Sequence, residues 1–227
     1  MNNHVNRHIY LFFLVMSLGF AAAAHAGPPL ICHSIAIGPA QSLPWISEGW
    51  NLAGTENYDV KHLVVDTLAI LNPSTPVLVR METMRRATLY ARSDLQVARQ
   101  LLAKLIARNS AAETAGHPDA LALFDAGYLA ETYKQWLGKD SQNPAAGIDG
   151  YLQVKRATEL RGEDPQMEFA AAMITLSGRK EEHREHALRA TAGAQRDPLL
   201  AQNLARRFRG EKGETIAEMF AKTDSNK

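Results

Sequence analysis

The chain has 227 residues, of which 46% are hydrophobic and 22% are charged. This composition is typical of a globular protein, and it excludes a disordered chain, a collagen and a membrane protein with many spans. Lysine and arginine together number 25, against 24 aspartate and glutamate residues, so the chain has almost no net charge. Without a strong positive field we expect no binding to nucleic acid.

Residues 1–26 have the pattern of a cleaved signal peptide. Arg7 precedes an apolar run that ends in four alanines, and Ala24 and Ala26 satisfy the small-x-small rule for cleavage. The apolar run is shorter than the roughly 20 residues that a membrane-spanning helix needs. We therefore predict cleavage after Ala26 and export to the periplasm or the exterior, with membrane attachment only if the segment stays uncleaved.

Residues 27–59 are predicted to form a loop-rich N-terminal arm, because proline, glycine and isolated aromatics interrupt any helical period. Leu43, Trp45 and Trp50 are expected to anchor this arm on the body of the protein, since large side chains bury the most apolar area. Cys32 is the single cysteine, so an internal disulfide is excluded and stability must come from packing.

From residue 60 onward the pattern predicts one all-α domain, 60–222, followed by a polar tail, 223–227. Apolar residues recur with the helical period, and capping residues with proline mark several helix starts. No segment alternates as a β-strand would. The expected helices cover about 61–71, 76–92, 94 onward, 119–137, 149–160, 165–176, 180–194, 199–208 and 214–221.

The spacing of two helix starts carries a resemblance to a known family. Asp164-Pro165 and Asp197-Pro198 lie 33 residues apart, and the small residues Ala157 and Ala190 have the same separation. Over residues 118–210 the chain thereby resembles tetratricopeptide proteins, in which helix pairs repeat about every 34 residues. The resemblance implies an array of short antiparallel helix pairs, a tetratricopeptide-like α-solenoid. An irregular helical bundle is the alternative architecture.

Small residues are needed where two helices cross closely, and Gly127, with Ala126 beside it, is the candidate for such a crossing in the predicted helix 119–137. The polar segment 181–186, which contains His183 and His186, has the mixed charge of a solvated helix face. Its histidine spacing matches neither of the zinc-protease motifs.

Cys32 and His33 form the sequence pair with the clearest metal-ligand chemistry. A thiolate and an imidazole can bind copper or zinc, and His62 is a candidate for the third ligand. Haem attachment through Cys-x-x-Cys-His and a four-thiolate zinc site are excluded, because a second cysteine is missing. The alternative is a buried cysteine that packs as a small hydrophobe beside a solvated histidine.

The segment 80–108 holds seven basic residues against two acidic ones. One interpretation is a basic interaction surface on a helical array, suited to an anionic partner. Its candidate residues are Arg80, Arg85, Arg86, Arg92 and Tyr133. The other interpretation is distributed surface charge that pairs with acidic residues of neighbouring helices, such as Glu113, Asp119, Asp125 and Glu131.

The functional expectation is an exported, non-enzymatic helical module that binds a protein or peptide, or acts as a scaffold. The chain has no phosphate-binding glycine loop, no nucleophile elbow and no dinucleotide fingerprint, and it offers no identifiable catalytic pair. Two alternatives stay open, a copper- or zinc-binding protein that uses Cys32 and His33, and an enzyme of an unrecognised family. Apart from such a metal, no cofactor is expected.

Overall fold

A computed structural model describes residues 28–46, 52, 54–138, 142–162 and 164–208. Within these ranges the chain is all-α and forms no β-strand, as the sequence predicts. A 3₁₀ turn, Val60–His62, precedes the first helix. The described residues form eight helices: α1 (Leu63–Ile70), α2 (Val77–Ala91), α3 (Leu95–Thr114), α4 (Ala120–Trp136), α5 (Gly150–Leu160), α6 (Pro165–Thr175), α7 (Lys180–Ala194) and α8 (Pro198–Arg207).

The predicted signal peptide, the anchor Trp50, the ninth helix at 214–221 and the tail at 223–227 lie outside the described residues. Among the helices that are described, none combines the length and the apolar character needed to cross a membrane.

Aspartate caps define five of the helix starts. The side chains of Asp94, Asp119, Asp149, Asp164 and Asp197 each accept a hydrogen bond from a backbone N–H in the first turn of α3, α4, α5, α6 and α8. Such a cap contributes about 1 kcal/mol because it satisfies donors that have no partner within the helix. These caps are the signals that predict the helix starts from sequence.

The helices pack mainly with their neighbours in sequence. α4 packs most extensively against α5, and α6 against α7, while α2 packs against α4 as well as α1. Every residue of α2 except Arg86 is buried, so this helix forms the centre of the molecule. A helix that is buried all round normally carries apolar residues on every face. α2 instead carries Arg80, Glu82 and Arg85, all fully buried.

The N-terminal arm, residues 28–46, contributes directly to the core. Leu30, Ile31, Ile35 and Leu43 are at most 4% exposed and belong to the same apolar cluster as the helices. Leu43 is therefore an anchor, as predicted. Trp45 is partly buried and meets the ring of Tyr90 edge-on at a centroid distance of 5.7 Å.

Side chains of α2, α4 and α8 hold the arm by its backbone. Gln135 of α4 accepts from the backbone N–H of Leu30 at 2.9 Å. Asn203 of α8 accepts from the N–H of Ala36 at 2.8 Å and donates to its carbonyl oxygen at 2.9 Å. Because these bonds satisfy backbone groups that the extended arm cannot pair internally, they keep it on one side of the helical array.

The crossing of α4 and α5 requires glycine on both helices. A Cβ atom on Gly127 would lie 2.7 Å from the carbonyl oxygen of Gly150 and 2.8 Å from the Cβ of Gln153. A Cβ atom on Gly150 would lie 2.3 Å from the carbonyl oxygen of Gly127. These distances are too short for a side chain, so the predicted role of Gly127 at a close helix crossing is confirmed.

We expect Gly127→Ala to lower the free energy of unfolding by about 1–3 kcal/mol, and Gly127→Leu by more, because the added atoms force the two helices apart. Thermal and urea unfolding measure the loss. Gly147→Ala is the matched control, since a Cβ atom at Gly147 meets nothing within 4 Å. Equal unfolding of Gly127→Leu and the wild type would contradict the close crossing.

Candidate functional site

The predicted basic surface does not form. Arg80, Arg85 and Tyr133 are fully buried, and the side chain of Arg86 is only 17% exposed. The arm and the surrounding helices enclose α2, so Arg80 and Arg85 form ion pairs away from solvent and Arg86 is largely covered. Arg92 alone is exposed, and its guanidinium lies 5.0 Å from the centre of the Trp136 ring. The prediction that these five residues share an interaction surface is wrong.

The Glu82 carboxylate is the centre of the buried charge. Arg85 donates to it through Nε and Nη2, each at 2.8 Å, and Arg86 donates through Nε at 2.7 Å. The backbone N–H of Ile35 adds a fourth bond at 2.8 Å. The two arginines also donate to arm carbonyls, Arg85 to Ile31 at 3.1 Å and Arg86 to Leu43 at 2.6 Å. This arginine–glutamate cluster therefore joins α2 to the arm.

A second buried ion pair links α2 to α4. Nη1 of Arg80 lies 2.5 Å from Oδ2 of Asp125, and Nη1 of Arg108, from α3, lies 4.0 Å from the same oxygen. Arg108 also pairs with Asp119 at 3.8 Å. The expected pairing of the basic segment with neighbouring helices is therefore confirmed for Asp119 and Asp125, although the Arg80–Asp125 pair is buried and not at the surface. The other two expected partners, Glu113 and Glu131, pair with Arg156 and Lys134 outside that segment. Burial raises the pKa of Asp125 to about 7, and the positive charge of the nearby Arg80 opposes this rise only in part.

Cys32, His33 and His62 do not come together. Cys32 is buried in the arm, whereas His62 is exposed in the turn before α1. Within the described ranges no three histidine, cysteine, aspartate or glutamate residues are placed to hold a metal ion together. Burial raises the pKa of the Cys32 thiol, and two neighbouring arginines, Arg207 and Arg85, give this position a positive environment that disfavours a metal cation.

His33 does not have the solvated position of the alternative interpretation. Burial lowers the pKa of its imidazole, and the positive charges of Arg207 and Arg85 lower it further. Arg207 of α8 also donates from Nη2 to the His33 carbonyl oxygen. Backbone and side chain of this residue thus lie against a cationic part of the interior.

A buried carboxylate–imidazole–phenol chain was missed by the sequence analysis. Nδ1 of His186 lies 2.5 Å from Oε2 of Glu168, and Nε2 of His186 lies 3.0 Å from the hydroxyl of Tyr151. His183 is half-buried and its Nδ1 lies 2.8 Å from the carbonyl oxygen of Ala172. The prediction of a solvated face at these histidines is wrong, because α7 turns them toward α5 and α6.

Above Tyr151 lies a cavity of about 500 Å³, which we call the helix-end pocket. It is bounded by the end of α4, the loop before α5 and the turn between α6 and α7, and its charged lining residues are Glu131, Lys134, Asp149 and Arg179. The guanidinium of Arg179 lies 4.4 Å from the centre of the Tyr151 ring, a cation–π contact. The pocket therefore presents both signs of charge around one fixed aromatic ring.

Burial raises the pKa of Tyr151, so its hydroxyl remains protonated at neutral pH. If Nδ1 of His186 donates to the Glu168 carboxylate, Nε2 is the acceptor for this hydroxyl proton. The chain then orients the ring of Tyr151 and supplies no phenolate nucleophile.

Comparisons of the chain with protein families, curated proteins and solved structures find no match. The function is therefore inferred from the residues themselves. The geometry separates two polar features of the described residues. The arginine–glutamate cluster lies in the interior and fixes the arm, whereas the helix-end pocket is open to a ligand.

Glu82→Gln is expected to lower the free energy of unfolding by about 3–5 kcal/mol, because it leaves two buried guanidinium groups without a counter-charge. Urea unfolding at neutral pH measures this loss. Glu113→Gln is the control. Glu113 is exposed, and its ion pair with Arg156 is long, at 3.8 Å. Loss of this pair is therefore expected to change the free energy of unfolding by less than about 0.5 kcal/mol. Similar effects for both substitutions would contradict the role of Glu82.

Asp125 gives a pH prediction with a definite sign. Its pKa in the folded protein, about 7, lies above the ordinary value of 3.8, so the folded state binds this proton more tightly than the unfolded state. The resulting stabilisation is present at pH values below 3.8 and is lost as the pH rises through 7. Urea unfolding at several pH values measures the free energy of unfolding of the wild type and of Asp125→Asn. The wild-type value minus the Asp125→Asn value should fall as the pH rises from 3.8 through 7. A difference that stays constant or rises would contradict the raised pKa of Asp125.

Proposed function

We propose that this chain is an exported, non-enzymatic helical module that binds a protein or peptide partner through the helix-end pocket. The observation that carries the proposal is the arrangement of Arg179, Tyr151 and the Glu168–His186 pair. A carboxylate and an imidazole fix an aromatic ring from below, and a guanidinium covers it from above. Tyr151 is itself buried, so Arg179 is the group presented to a partner, and arginines held in place in this way are typical anchors of protein interfaces.

The charges around the pocket suit a polypeptide ligand. Arg179 is 44% exposed, and its ion pairs with described residues are long, 3.7 Å to Asp149 and 3.9 Å to Glu182. Lys134 and Glu131 lie across the pocket and pair with each other at 2.8 Å. The ion pairs of Arg179 are exposed, and such pairs contribute little to stability. A partner that supplies a carboxylate and a backbone donor can therefore replace them at small cost.

The packing order supports the tetratricopeptide-like architecture as part of this proposal. The α4–α5 and α6–α7 pairs correspond to the helix pairs of the sequence resemblance, and the helix-end pocket lies where these two pairs meet. Consecutive stacked pairs produce such concave junctions, and repeat proteins use them to bind partners. Export follows in this proposal from the N-terminal sequence pattern, with the periplasm or the exterior as destination.

The metal-binding alternative has less support, because Cys32 and His33 lie in a cationic environment and His62 belongs to another part of the surface. For the enzyme alternative, the carboxylate–imidazole–phenol chain is the one arrangement among the described residues that resembles catalytic machinery. Because burial raises the pKa of Tyr151, its hydroxyl keeps its proton, and in this proposal the chain holds the ring in place beneath Arg179.

Native mass spectrometry of the mature chain, isolated from its own host, tests the proposal. We expect a protein or peptide to be retained at fixed stoichiometry by the wild type. Arg179→Ala should weaken that binding by about tenfold or more, equivalent to about 1.4 kcal/mol, because a charged hydrogen bond to the partner is lost. Arg156→Ala is the matched control, since Arg156 is also exposed and its one ion pair with a described residue is long, 3.8 Å to Glu113.

Retention of a partner by the wild type and by Arg156→Ala, but not by Arg179→Ala, would support the helix-end pocket as the binding site. Equal retention by all three proteins would place the partner elsewhere and refute the proposed site. A wild-type chain that carries a metal ion and no partner would favour the metal-binding alternative.

A further inference from the structure

A second concave site lies between the arm and α8. This cavity, which we call the arm pocket, has a volume of about 290 Å³. Residues 34–38 and Ala40 of the arm form one wall, and Gln202 and Arg206 of α8 form another. Arg86 of α2 completes the lining. The arm pocket is distinct from the helix-end pocket, with which it shares no lining residue.

The lining of the arm pocket is cationic. It contains two arginines, and among its described lining residues none is acidic. Arg86 uses Nε for Glu82 and Nη1 for the carbonyl of Leu43, which leaves Nη2 without a bond within the described part of the chain. Arg206 is exposed, and it forms no ion pair with any residue in the ranges that the structure describes. Both guanidinium groups therefore retain donors for a ligand.

The charges around the arm pocket also favour an anionic ligand. Beneath the pocket, Glu82 is the counter-charge for both Arg85 and Arg86, so the cluster keeps an excess positive charge. Arg207, the next residue after Arg206, is committed to the backbone carbonyls of His33 and Ser34. The described arm residues, 28–46, include no aspartate or glutamate that could neutralise these groups. An anion is the ligand class that such a field attracts.

The arrangement of donors distinguishes between anions. Arg86 lines the pocket from α2, Arg206 and Gln202 line it from α8, and Ser34 lines it from the arm. Donors on separate walls match an anion whose oxygens point in three dimensions, and planar guanidinium groups bind phosphate oxygens in pairs. A planar carboxylate has two oxygens and satisfies fewer of these groups.

The size and the remaining lining indicate what the phosphate is attached to. A water molecule occupies about 30 Å³ of liquid, so a volume of about 290 Å³ exceeds that of a single phosphate group. Ile35, Ala36 and Ile37 provide apolar contact for an organic substituent. We infer that the arm pocket binds the phosphate group of a small phosphate monoester, with Arg206 and Arg86 as its principal ligand-binding residues. This site goes beyond the proposed partner binding and does not depend on it.

Isothermal titration of the full mature chain with inorganic phosphate and with glycerol 3-phosphate tests the inference, at an ionic strength held constant with sodium chloride. We expect one site for each probe, with tighter binding of glycerol 3-phosphate because its organic part contacts the apolar wall. Arg206→Gln should weaken both by about tenfold or more, which is about 1.4 kcal/mol. Arg156→Gln, at an exposed arginine of α5 outside the pocket, should leave both affinities unchanged.

The thermal unfolding of Arg206→Gln should match that of the wild type, since Arg206 is exposed and forms no ion pair with a described residue. Loss of phosphate binding in a fully folded variant would therefore report on the site itself. The inference is overturned if the wild type binds neither probe, if Arg206→Gln binds as tightly as the wild type, or if acetate binds as tightly as phosphate.

Discussion

The arrangement of the arm and α2 depends on one buried carboxylate. Glu82 is removed from water, and a charge in that position is tolerated only when it is paired and fully hydrogen-bonded. Arg85, Arg86 and the backbone N–H of Ile35 supply the four bonds that it needs. Because one of these bonds comes from the arm, the carboxylate is compensated only when the arm is in place.

This requirement explains how a segment without secondary structure becomes part of the core. An extended chain carries backbone donors and acceptors that cannot be buried without partners. Glu82, Gln135 and Asn203 provide partners for the N–H groups, while Arg85 and Arg207 provide them for carbonyl oxygens. Once these groups are satisfied, apolar side chains of the arm can pack against the helices. The arm then also forms one wall of the arm pocket, so the same bonds shape a candidate binding site.

The sequence predicts the helices well because their signals are local. A capping aspartate and the apolar residues of the helix that follows lie within a few positions of each other, as at Asp119 or Asp164. Gly127 was also predictable, since a glycine inside a strongly apolar helix needs a packing reason. Local patterns therefore gave the all-α class and most helix boundaries.

The sequence does not predict which polar residues are buried, because burial depends on distant partners. Arginine is normally exposed, so both interpretations of the basic segment place Arg80 and Arg85 at the surface. The partner of Arg80 is Asp125, 45 positions away, and the arm that covers Arg85 lies 54 positions before it. His186 was misassigned for the same reason, since its partners Glu168 and Tyr151 lie on other helices. The spacing of Glu82, Arg85 and Arg86 was the one local indication of an ion-paired cluster.

The central claim is that the arginine–glutamate cluster makes the arm part of the folded core. Amide hydrogen exchange of the mature protein, measured for each residue by NMR, tests this claim most directly. The account predicts that the amides of Leu30, Ile35 and Ala36, which donate to Gln135, Glu82 and Asn203, are protected as strongly as the amides of α2. Exchange of these three amides at the rate of an unstructured peptide, while α2 remains protected, would contradict it.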